Sequence, residues 1–305
     1  MKRKIEWPNG CDFAFTIVDD TDGATVENVK PVYDYLYEKK ILTTKTCWAY
    51  PPKDTVFKGQ CLEDEAYRSF VQNLKAKGFE IGFHNAASGG CKREETLAAF
   101  EDFHDAFGEY PSLHINHGSN IENIYWGSKR FCGLVRSIYS LLRGKVQSLG
   151  DVKDSPYFWG DVCKERIRYI RNRTFNGINT LKSDSRLVYR ETGKEAYSNY
   201  WFSSSDGMRL APFVKILSKK NIDKLVKEKG CCILYTHFAY DFVDEQGNLD
   251  EDFKATIDYL ARQNGWFVPA GTLLDYMLQD KEYRPSHLYE LWMDVKWLIE
   301  RVTKR

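Results

Sequence analysis

The sequence predicts an α/β protein, with a mostly parallel sheet and helices packed outside it. The main observation is that strand-like and helix-like segments alternate through much of the 305 residues. Hydrophobic residues make up 43% of the chain, which is enough for a substantial core. No stretch of about 18 apolar residues occurs, so no membrane span is predicted. The alternation alone leaves open whether the sheet is flat or closed into a barrel.

The first third of the chain shows the alternation clearly. Short apolar runs typical of buried strands lie at 12–20, 43–50, 79–84 and 112–118. Segments with helical periodicity lie between them, at 24–40, 64–78 and 93–108. Gly78 suits the C-cap of the second of these helices. Three strand–helix units and a fourth strand are therefore predicted here.

The rest of the chain is less regular. The alternation returns near the end, with a strand at 231–238, a helix at 250–265 and a strand at 266–271. Between these parts, 119–176 shows one clear helix at 129–144, and 177–207 shows several short strand patterns, in "GINTLK", "RLVYRE" and "SNYWFSSS". Neither a linker nor a repeat is visible. We therefore predict one domain, 1–305, with an inserted or divergent region at 119–207.

The last segment, 285–305, is predicted to be an extra amphipathic helix. It places five apolar residues along one side, Leu288, Leu291, Trp292, Val295 and Leu298. Packing of that side against the domain or a second subunit of a homo-oligomer is the favoured interpretation. Binding to the inner-leaflet surface of a membrane is the alternative.

Charge and cysteine usage bear on partners and location. The net charge of +1 gives no general attraction to nucleic acid. The N-terminal "MKRKIEWPNGCDF" is basic but has no apolar core, so it does not predict a secretory signal. The eight cysteines have no paired spacing, which fits reduced thiols. A cytoplasmic protein is expected, with a peripheral position at the inner membrane as the alternative.

Acidic and histidine side chains follow four of the predicted strands. In parallel α/β proteins, ligands gather beyond the carboxyl ends of the strands. The residues concerned are Asp19, Asp20, Asp22, His84, His114, Asn116, His117 and His237. They include four of the six histidines in the chain, and the other two, His104 and His287, are expected to be solvated. A lone histidine at a strand end is often only a satisfied polar group. Two imidazoles and a carboxylate together, as in Asp20, His84 and His237, instead favour a divalent cation used for hydrolysis.

Four sequence motifs in this set resemble those of a known family. "FTIVDD" is similar to an apolar strand ending in Thr-Phe-Asp-Asp-Gly, and "FEIGFHNAAS" matches a Glu-Ile-Gly-x-His motif through His84. "LHINHG" lies at the place of an Arg-Pro-Pro motif, and "CILYTHF" matches a final Leu-x-His motif. In this order they resemble the polysaccharide deacetylases of carbohydrate esterase family four, over about 12–118 and 231–280. The resemblance implies a distorted, incomplete (β/α) barrel with an inserted segment and the extra C-terminal helix.

The resemblance also implies roles for single residues. Asp19 would be the general base, Asp20 and His84 metal ligands, and His237 the general acid that protonates the leaving amine. The implied cofactor is a divalent metal, Zn²⁺ first, with Co²⁺, Ni²⁺ or Mn²⁺ as alternatives. The substrate-binding residues expected in the same site are His114, Asn116, Trp201 and Asp206.

The sequence departs from the family pattern at two positions. Ser88 stands where the family has its second ligand histidine, so His117 is predicted to be the third ligand, with Asp22 as a further candidate. His114 stands in place of the arginine that orients the base carboxylate. These departures keep a second function open, in which the protein binds or assembles carbohydrate without catalysis. A glycoside hydrolase is a third hypothesis, but no convincing second acid is present.

The leading hypothesis is a metal-dependent hydrolase that removes an N-acetyl group from a sugar or sugar precursor. Surface polysaccharide or lipopolysaccharide biosynthesis is the expected setting. The arginine-rich segment 163–173 would suit a nucleotide-linked or lipid-linked substrate through its phosphates. The favoured interpretation of this segment, however, is a solvated helix face or an edge strand.

Overall fold

The computed structural model describes residues 5–143, 148–278 and 283–303. Its strands are β1 Phe13–Asp19, β2 Thr44–Cys47, β3 Glu80–Phe83, β4 Leu113–His114, β5 Tyr169–Phe175, β6 Val188–Tyr189, β7 Tyr200–Asp206, β8 Cys231–Thr236 and β9 Gly265–Phe267. The first six helices are α1 Val26–Glu38, α2 Glu65–Ala76, α3 Arg93–Phe107, α4 Gly133–Arg143, α5 Gly160–Arg166 and α6 Thr180–Ser183. The remaining helices are α7 Leu210–Ile216, α8 Lys219–Lys227, α9 Glu251–Ala261, α10 Ala270–Leu278 and α11 His287–Thr303.

Seven parallel strands close into a barrel. The strands neighbour one another in the order β1, β2, β3, β4, β5, β7 and β8, and β8 pairs with β1 again. β6 adds to β7 in the antiparallel direction. The α/β class and the distorted, incomplete (β/α) barrel predicted from the sequence are confirmed.

The distortion lies at the edge of β1 that faces β2. Only Val18 and Asp19 at the end of β1 pair with β2, whereas Phe13 to Phe15 at its start pair with β9. On its other edge, β1 pairs with β8 over six residues. All seven residues of β1 are buried, as expected for a strand covered on both faces. The acidic residues that follow β1 therefore lie at the rim of the barrel, where the strands end.

The segment 119–207 contributes more to the barrel than its sequence indicates. β5 and β7 both lie in this segment and pair with each other in the middle of the sheet. β7 agrees with the strand predicted in "SNYWFSSS". The interpretation of 163–173 as a solvated helix face or an edge strand is wrong for β5, because this strand pairs with β4 on one side and β7 on the other, and its Arg171 and Arg173 are buried. The strand prediction for "GINTLK" is wrong, because the Asn179 side chain caps the backbone N–H of Lys182 and begins α6 instead. In "RLVYRE", only Val188 and Tyr189 form a strand.

The C-terminal helix α11 packs through a face that only partly overlaps the one predicted. Its buried side includes Met293, Asp294 and Trp297, with Leu291 and Leu298 partly buried, whereas Leu288, Trp292 and Val295 are exposed. Asp294 sets this orientation, because its carboxylate accepts hydrogen bonds from Arg173 of β5 at 2.6 and 2.9 Å. A buried ion pair, which no apolar pattern reveals, thus decides which side faces the barrel. In the described part of the chain, no helix is long and apolar enough to cross a membrane.

One ion pair beneath the rim offers a test of the fold. Lys45 of β2 and Asp19 of β1 are both fully buried, with Nζ and Oδ2 3.0 Å apart. Replacing Lys45 with methionine would leave the Asp19 carboxylate buried without its cation, and we expect a loss of about 3–5 kcal/mol in the free energy of unfolding. Urea denaturation measures the free energy of unfolding of the wild type and of the variant. The control is Lys30→Met, which removes the solvated pair with Asp34 and should cost at most about 1 kcal/mol. Similar losses in both variants would contradict the structure.

Candidate functional site

The turn after β1 carries Asp20 and Asp22 into the open end of the barrel. The N–H of Asp20 donates to the Thr236 carbonyl at 2.9 Å, which extends the pairing with β8 by one residue. Gly23 then turns the chain with φ +75°, and a Cβ there would lie 2.9 Å from the Tyr240 ring. Glycine is therefore required at this position. The two carboxylates, two residues apart, reach the same cavity.

Asp22, His84 and His117 bring three potential metal-ligand atoms together. Asp22 Oδ1 lies 3.2 Å from His84 Nε2 and 3.4 Å from His117 Nε2, and all three residues are buried. Asp22 Oδ1 and His117 Nε2 are buried polar atoms without a hydrogen bond of acceptable geometry. Buried polar atoms normally have a partner, so their convergence without one fits a cation between them.

The hydrogen bonds on the far side of each ring favour the same conclusion. His84 Nδ1 lies 2.9 Å from the Ile115 carbonyl oxygen, and His117 Nδ1 lies 3.1 Å from Asn120 Oδ1. Both partners are acceptors, so each ring can donate its Nδ1 proton to them and leave Nε2, which faces Asp22, available as a ligand atom. One carboxylate oxygen and two imidazole nitrogens form a set that suits Zn²⁺ and leaves a coordination position open.

A buried carboxylate supports His117 from behind. Glu122 accepts hydrogen bonds from Asn85 at 2.9 Å and from Asn120 at 2.7 Å. Asn85 in turn accepts from the His117 backbone N–H at 3.0 Å. Burial raises the pKa of Glu122. This network fixes both the backbone and the ring of His117, as the outer partners of metal ligands commonly do.

Asp20 lies beside this group but is bound to an arginine. Its two carboxylate oxygens accept hydrogen bonds from Arg171 of β5 at 2.8 and 2.5 Å, and its nearest contact with His84 is 4.0 Å. Burial acts to raise the pKa of Asp20, but the charge of Arg171 outweighs it and the pKa is lowered. Asp20 therefore stays ionised. This placement argues against the predicted ligand role of Asp20, because its nearest oxygen lies 4.0 Å from His84 Nε2, whereas Asp22 Oδ1 lies 3.2 Å from that atom.

Asp19 points away from the cavity, into the layer between the barrel and α1. Its carboxylate pairs with Lys45 and accepts hydrogen bonds from the Tyr33 hydroxyl at 2.9 Å and the Phe238 N–H at 2.8 Å. It is fully buried, so it does not fit the predicted role of a base that acts on a water molecule. Through Phe238 it instead fixes the chain next to His237.

His237 lies on the other side of Asp22 from the two ligand histidines. Its Nδ1 is 3.1 Å from the Met208 carbonyl oxygen and its Nε2 is 3.3 Å from Asp22 Oδ2. Burial acts to lower the pKa of His237, but the hydrogen bond with Asp22 and the charges of Asp20 and Asp22 raise it overall. With acceptors at both nitrogens, the ring is suited to carry two protons.

The predicted substrate-binding residues are divided between the cavity and the core. Asn116 and Asp206 line the cavity, and Asp206 pairs with Arg301 at 2.8 Å. Trp201 is fully buried in the hydrophobic core. His114 is also fully buried, and burial lowers its pKa to about 3, so it is neutral and cannot act as the cation that orients a carboxylate. Arg171 occupies that position instead.

Ser88 does not join the cluster of Asp22, His84 and His117. Its hydroxyl donates to the Asp54 carboxylate.

The sequence analysis gave Asp22 only as an alternative metal ligand, although Gly23 marks it as the matching aspartate of the family motif. The family motif ends in Asp-Gly, and Asp22 is the aspartate that precedes a glycine here. Arg171 was not predicted beside Asp20, because 163–173 was interpreted as a solvated helix face or an edge strand, whereas β5 is a central strand.

The cavity has a volume of about 390 Å³, within the range of small-molecule pockets. Aromatic rings in its wall include Trp126, Tyr240 and Trp297, and amide side chains include Asn116 and Asn172. Such faces suit sugar rings, which stack on aromatics and hydrogen-bond to amides. Trp297 and Arg301 come from α11, so the C-terminal helix forms part of the site.

Comparisons with known proteins agree with this fold. The PuuE allantoinase superimposes with a TM-score of 0.54 and 12% sequence identity, over 91% of this chain and 94% of that one. A probable polysaccharide deacetylase from Pseudomonas aeruginosa PAO1 also gives a TM-score of 0.54, with 11% identity over 91% of this chain and 95% of that one. No protein-family model and no curated protein sequence matches the chain. The chain therefore has the fold of the polysaccharide deacetylases.

Proposed function

We propose that the protein is a metal-dependent hydrolase that removes an acyl group, N-acetyl first, from the amine of a sugar or sugar precursor. One observation carries the proposal. The cavity holds three converging ligand atoms, from Asp22, His84 and His117, with an ionised carboxylate on one side and an imidazole hydrogen-bonded at both nitrogens on the other. These are the groups that metal-assisted amide hydrolysis needs.

Each group of residues in the cavity has a separate role in the proposed reaction. Asp22, His84 and His117 would hold a divalent ion, which would supply polarisation of the amide carbonyl and a lower pKa for water. The Asp20 carboxylate accepts the proton of the attacking water, and Arg171 holds it in orientation and keeps it ionised. His237 donates a proton from Nε2 to the leaving nitrogen, while the Met208 carbonyl holds its Nδ1–H.

This proposal changes two roles implied by the sequence resemblance. The base moves from Asp19 to Asp20, and the carboxylate ligand moves from Asp20 to Asp22. His84 and His237 keep the roles that the resemblance implies, and His117 takes the place of the histidine missing at Ser88. We retain surface polysaccharide or lipopolysaccharide biosynthesis as the setting of the proposed reaction.

Acetate release tests the proposal. Purified protein is stripped of metal with a chelator, reloaded with Zn²⁺, Co²⁺, Ni²⁺ or Mn²⁺, and assayed with N-acetylglucosamine, its 1-phosphate, its nucleoside diphosphate conjugate and chitobiose. We expect acetate only from the metal-loaded protein and none from Asp22→Asn. Release that survives both stripping and Asp22→Asn would contradict metal dependence. Sugar binding without release from any substrate would favour the non-catalytic alternative.

A further inference from the structure

Arg130 is a buried cation in the wall of the cavity. Its side chain is 8% exposed, and its guanidinium lies 4.3 Å from the ring centroid of Trp126 and 5.2 Å from that of Trp297. Nη2 donates to the Asn172 carbonyl oxygen at 2.6 Å, and Nε lies 3.4 Å from Asn172 Oδ1. Within residues 5–143, 148–278 and 283–303, no carboxylate forms an ion pair with it. A buried charge normally has such a partner.

The charges of the cavity wall do not balance. Two of its carboxylates are already paired with arginines, in Asp20–Arg171 and Asp206–Arg301. The third, Asp22, lies among the three histidines. Arg130 remains, together with Arg209, which lies exposed at the rim over the Tyr240 ring at 4.7 Å. The described part of the wall therefore has four guanidinium groups and three carboxylates, an excess of one positive charge before the charge of any bound cation is added.

The position of the Arg130 side chain is fixed by hydrogen bonds to its neighbours. Its side chain is fixed by Asn172 of β5, and its backbone carbonyl accepts a hydrogen bond from Lys194 Nζ at 3.2 Å. Lys194 is in turn paired with the buried Glu191. Burial, with the charges of Arg173 and Arg301 nearby, lowers the pKa of Arg130 to about 10, so it is still a cation at neutral pH. A fixed, desolvated cation interacts strongly with an oxyanion.

We propose that the substrate carries an anionic oxygen group, a phosphate or a carboxylate, which binds at Arg130 with Arg209 closing the rim. A guanidinium presents its N–H donors in a planar fork that matches such groups, and the excess charge of the wall attracts them. Because this subsite shares one cavity with Asp22, His84 and His117, the anion belongs to the same molecule as the amide that is hydrolysed. The inference rests on the proposed function and restricts its substrates to acidic or phosphorylated N-acyl sugars.

Matched substrates test the inference. The kcat/KM for N-acetylglucosamine 1-phosphate and for N-acetylmuramic acid is compared with that for the neutral methyl N-acetylglucosaminide. We expect the wild-type protein to prefer at least one anionic substrate, and the preferred one identifies phosphate or carboxylate as the group. Arg130→Met should reduce the anionic-to-neutral ratio about 10- to 100-fold, since hydrogen bonds between charged groups are strong. Arg130→Lys should restore part of it.

The control is Arg168→Met, which removes an arginine that pairs with Asp275 outside the cavity wall and should leave the ratio unchanged. Zinc content and melting temperature are measured for each variant, so a folding defect is recognised. An absence of anionic preference in the wild type, or an unchanged ratio in a folded, zinc-loaded Arg130→Met, would overturn the inference.

Calorimetric titration separates this inference from the proposed function. If no substrate releases acetate, binding of N-acetylglucosamine 1-phosphate and of inorganic phosphate is measured instead. Binding that weakens at least 10-fold in Arg130→Met but not in Arg168→Met would retain the anion subsite while the hydrolase proposal fails. No measurable binding of either probe to the wild type would remove the subsite as well.

Discussion

Replacing Asp22 with asparagine is expected to remove the metal and, with it, the activity. Asp22 contributes the negative charge of the proposed ligand set, and its Oδ1 lies within 3.4 Å of both imidazole nitrogens. Changes to the outer partners of a metal site alone weaken metal binding about 10–100-fold, so loss of a charged ligand should cost more than about 100-fold. Competition with a chromogenic zinc chelator measures the affinity.

The matched control for this change is Asp20→Asn, two residues away in the same turn. Because Asp20 lies outside the group of ligand atoms, with its nearest oxygen 4.0 Å from His84 Nε2, this variant should keep its zinc. The thermal shift on adding Zn²⁺ gives a second readout, since a ligand that binds only the folded state raises the melting temperature. Zinc retained by Asp22→Asn but lost by Asp20→Asn would restore the assignment implied by the sequence resemblance.

The same Asp20→Asn variant should lose catalysis while it keeps the metal. An amide oxygen cannot take the proton that the proposed base accepts, and general bases typically contribute about 10²–10⁴-fold to the rate. We therefore expect kcat for acetate release to fall by about that factor, with the zinc content unchanged. Arg171→Lys should show a smaller fall, because lysine keeps the charge but not the two parallel hydrogen bonds.

A kcat within a few-fold of wild type in a zinc-loaded Asp20→Asn would contradict the assignment of Asp20 as the base. Substitution of Asp19 is a poor alternative test, because Asp19 is part of the buried pair with Lys45 and its loss would affect folding. The Lys45→Met variant measures the size of that structural contribution separately.

The fold could largely be predicted from the sequence because most barrel strands have apolar patterns. β1, β3 and β8 are short buried runs flanked by helical segments or turns, and their predicted positions agree with the structure within two residues at each end. β5 could not be predicted in this way. Arg171, Asn172 and Arg173 break its apolar pattern, and each is buried only because a partner distant in the sequence satisfies it.

The location of the site could also be predicted from the sequence. The orientation of each side chain in it could not. The carboxyl ends of the strands gather at one rim, which is why His84, His117 and His237, although distant in the sequence, could be predicted to share one site. Which aspartate faces which partner depends on the turn at Gly23 and on Arg171, which the central strand β5 contributes. The orientation of α11 depends in the same way on the Asp294–Arg173 pair.

The position of the metal tests the central claim most directly. Crystals of the protein grown with Zn²⁺ can be measured at the zinc absorption edge, where an anomalous signal locates the ion. The structure predicts one peak in the cavity, bound by an Asp22 oxygen and by Nε2 of His84 and His117, with Zn–N distances of about 2.0–2.1 Å. A fully occupied peak bound by Asp20 instead of Asp22, or no peak near His84 and His117, would contradict it.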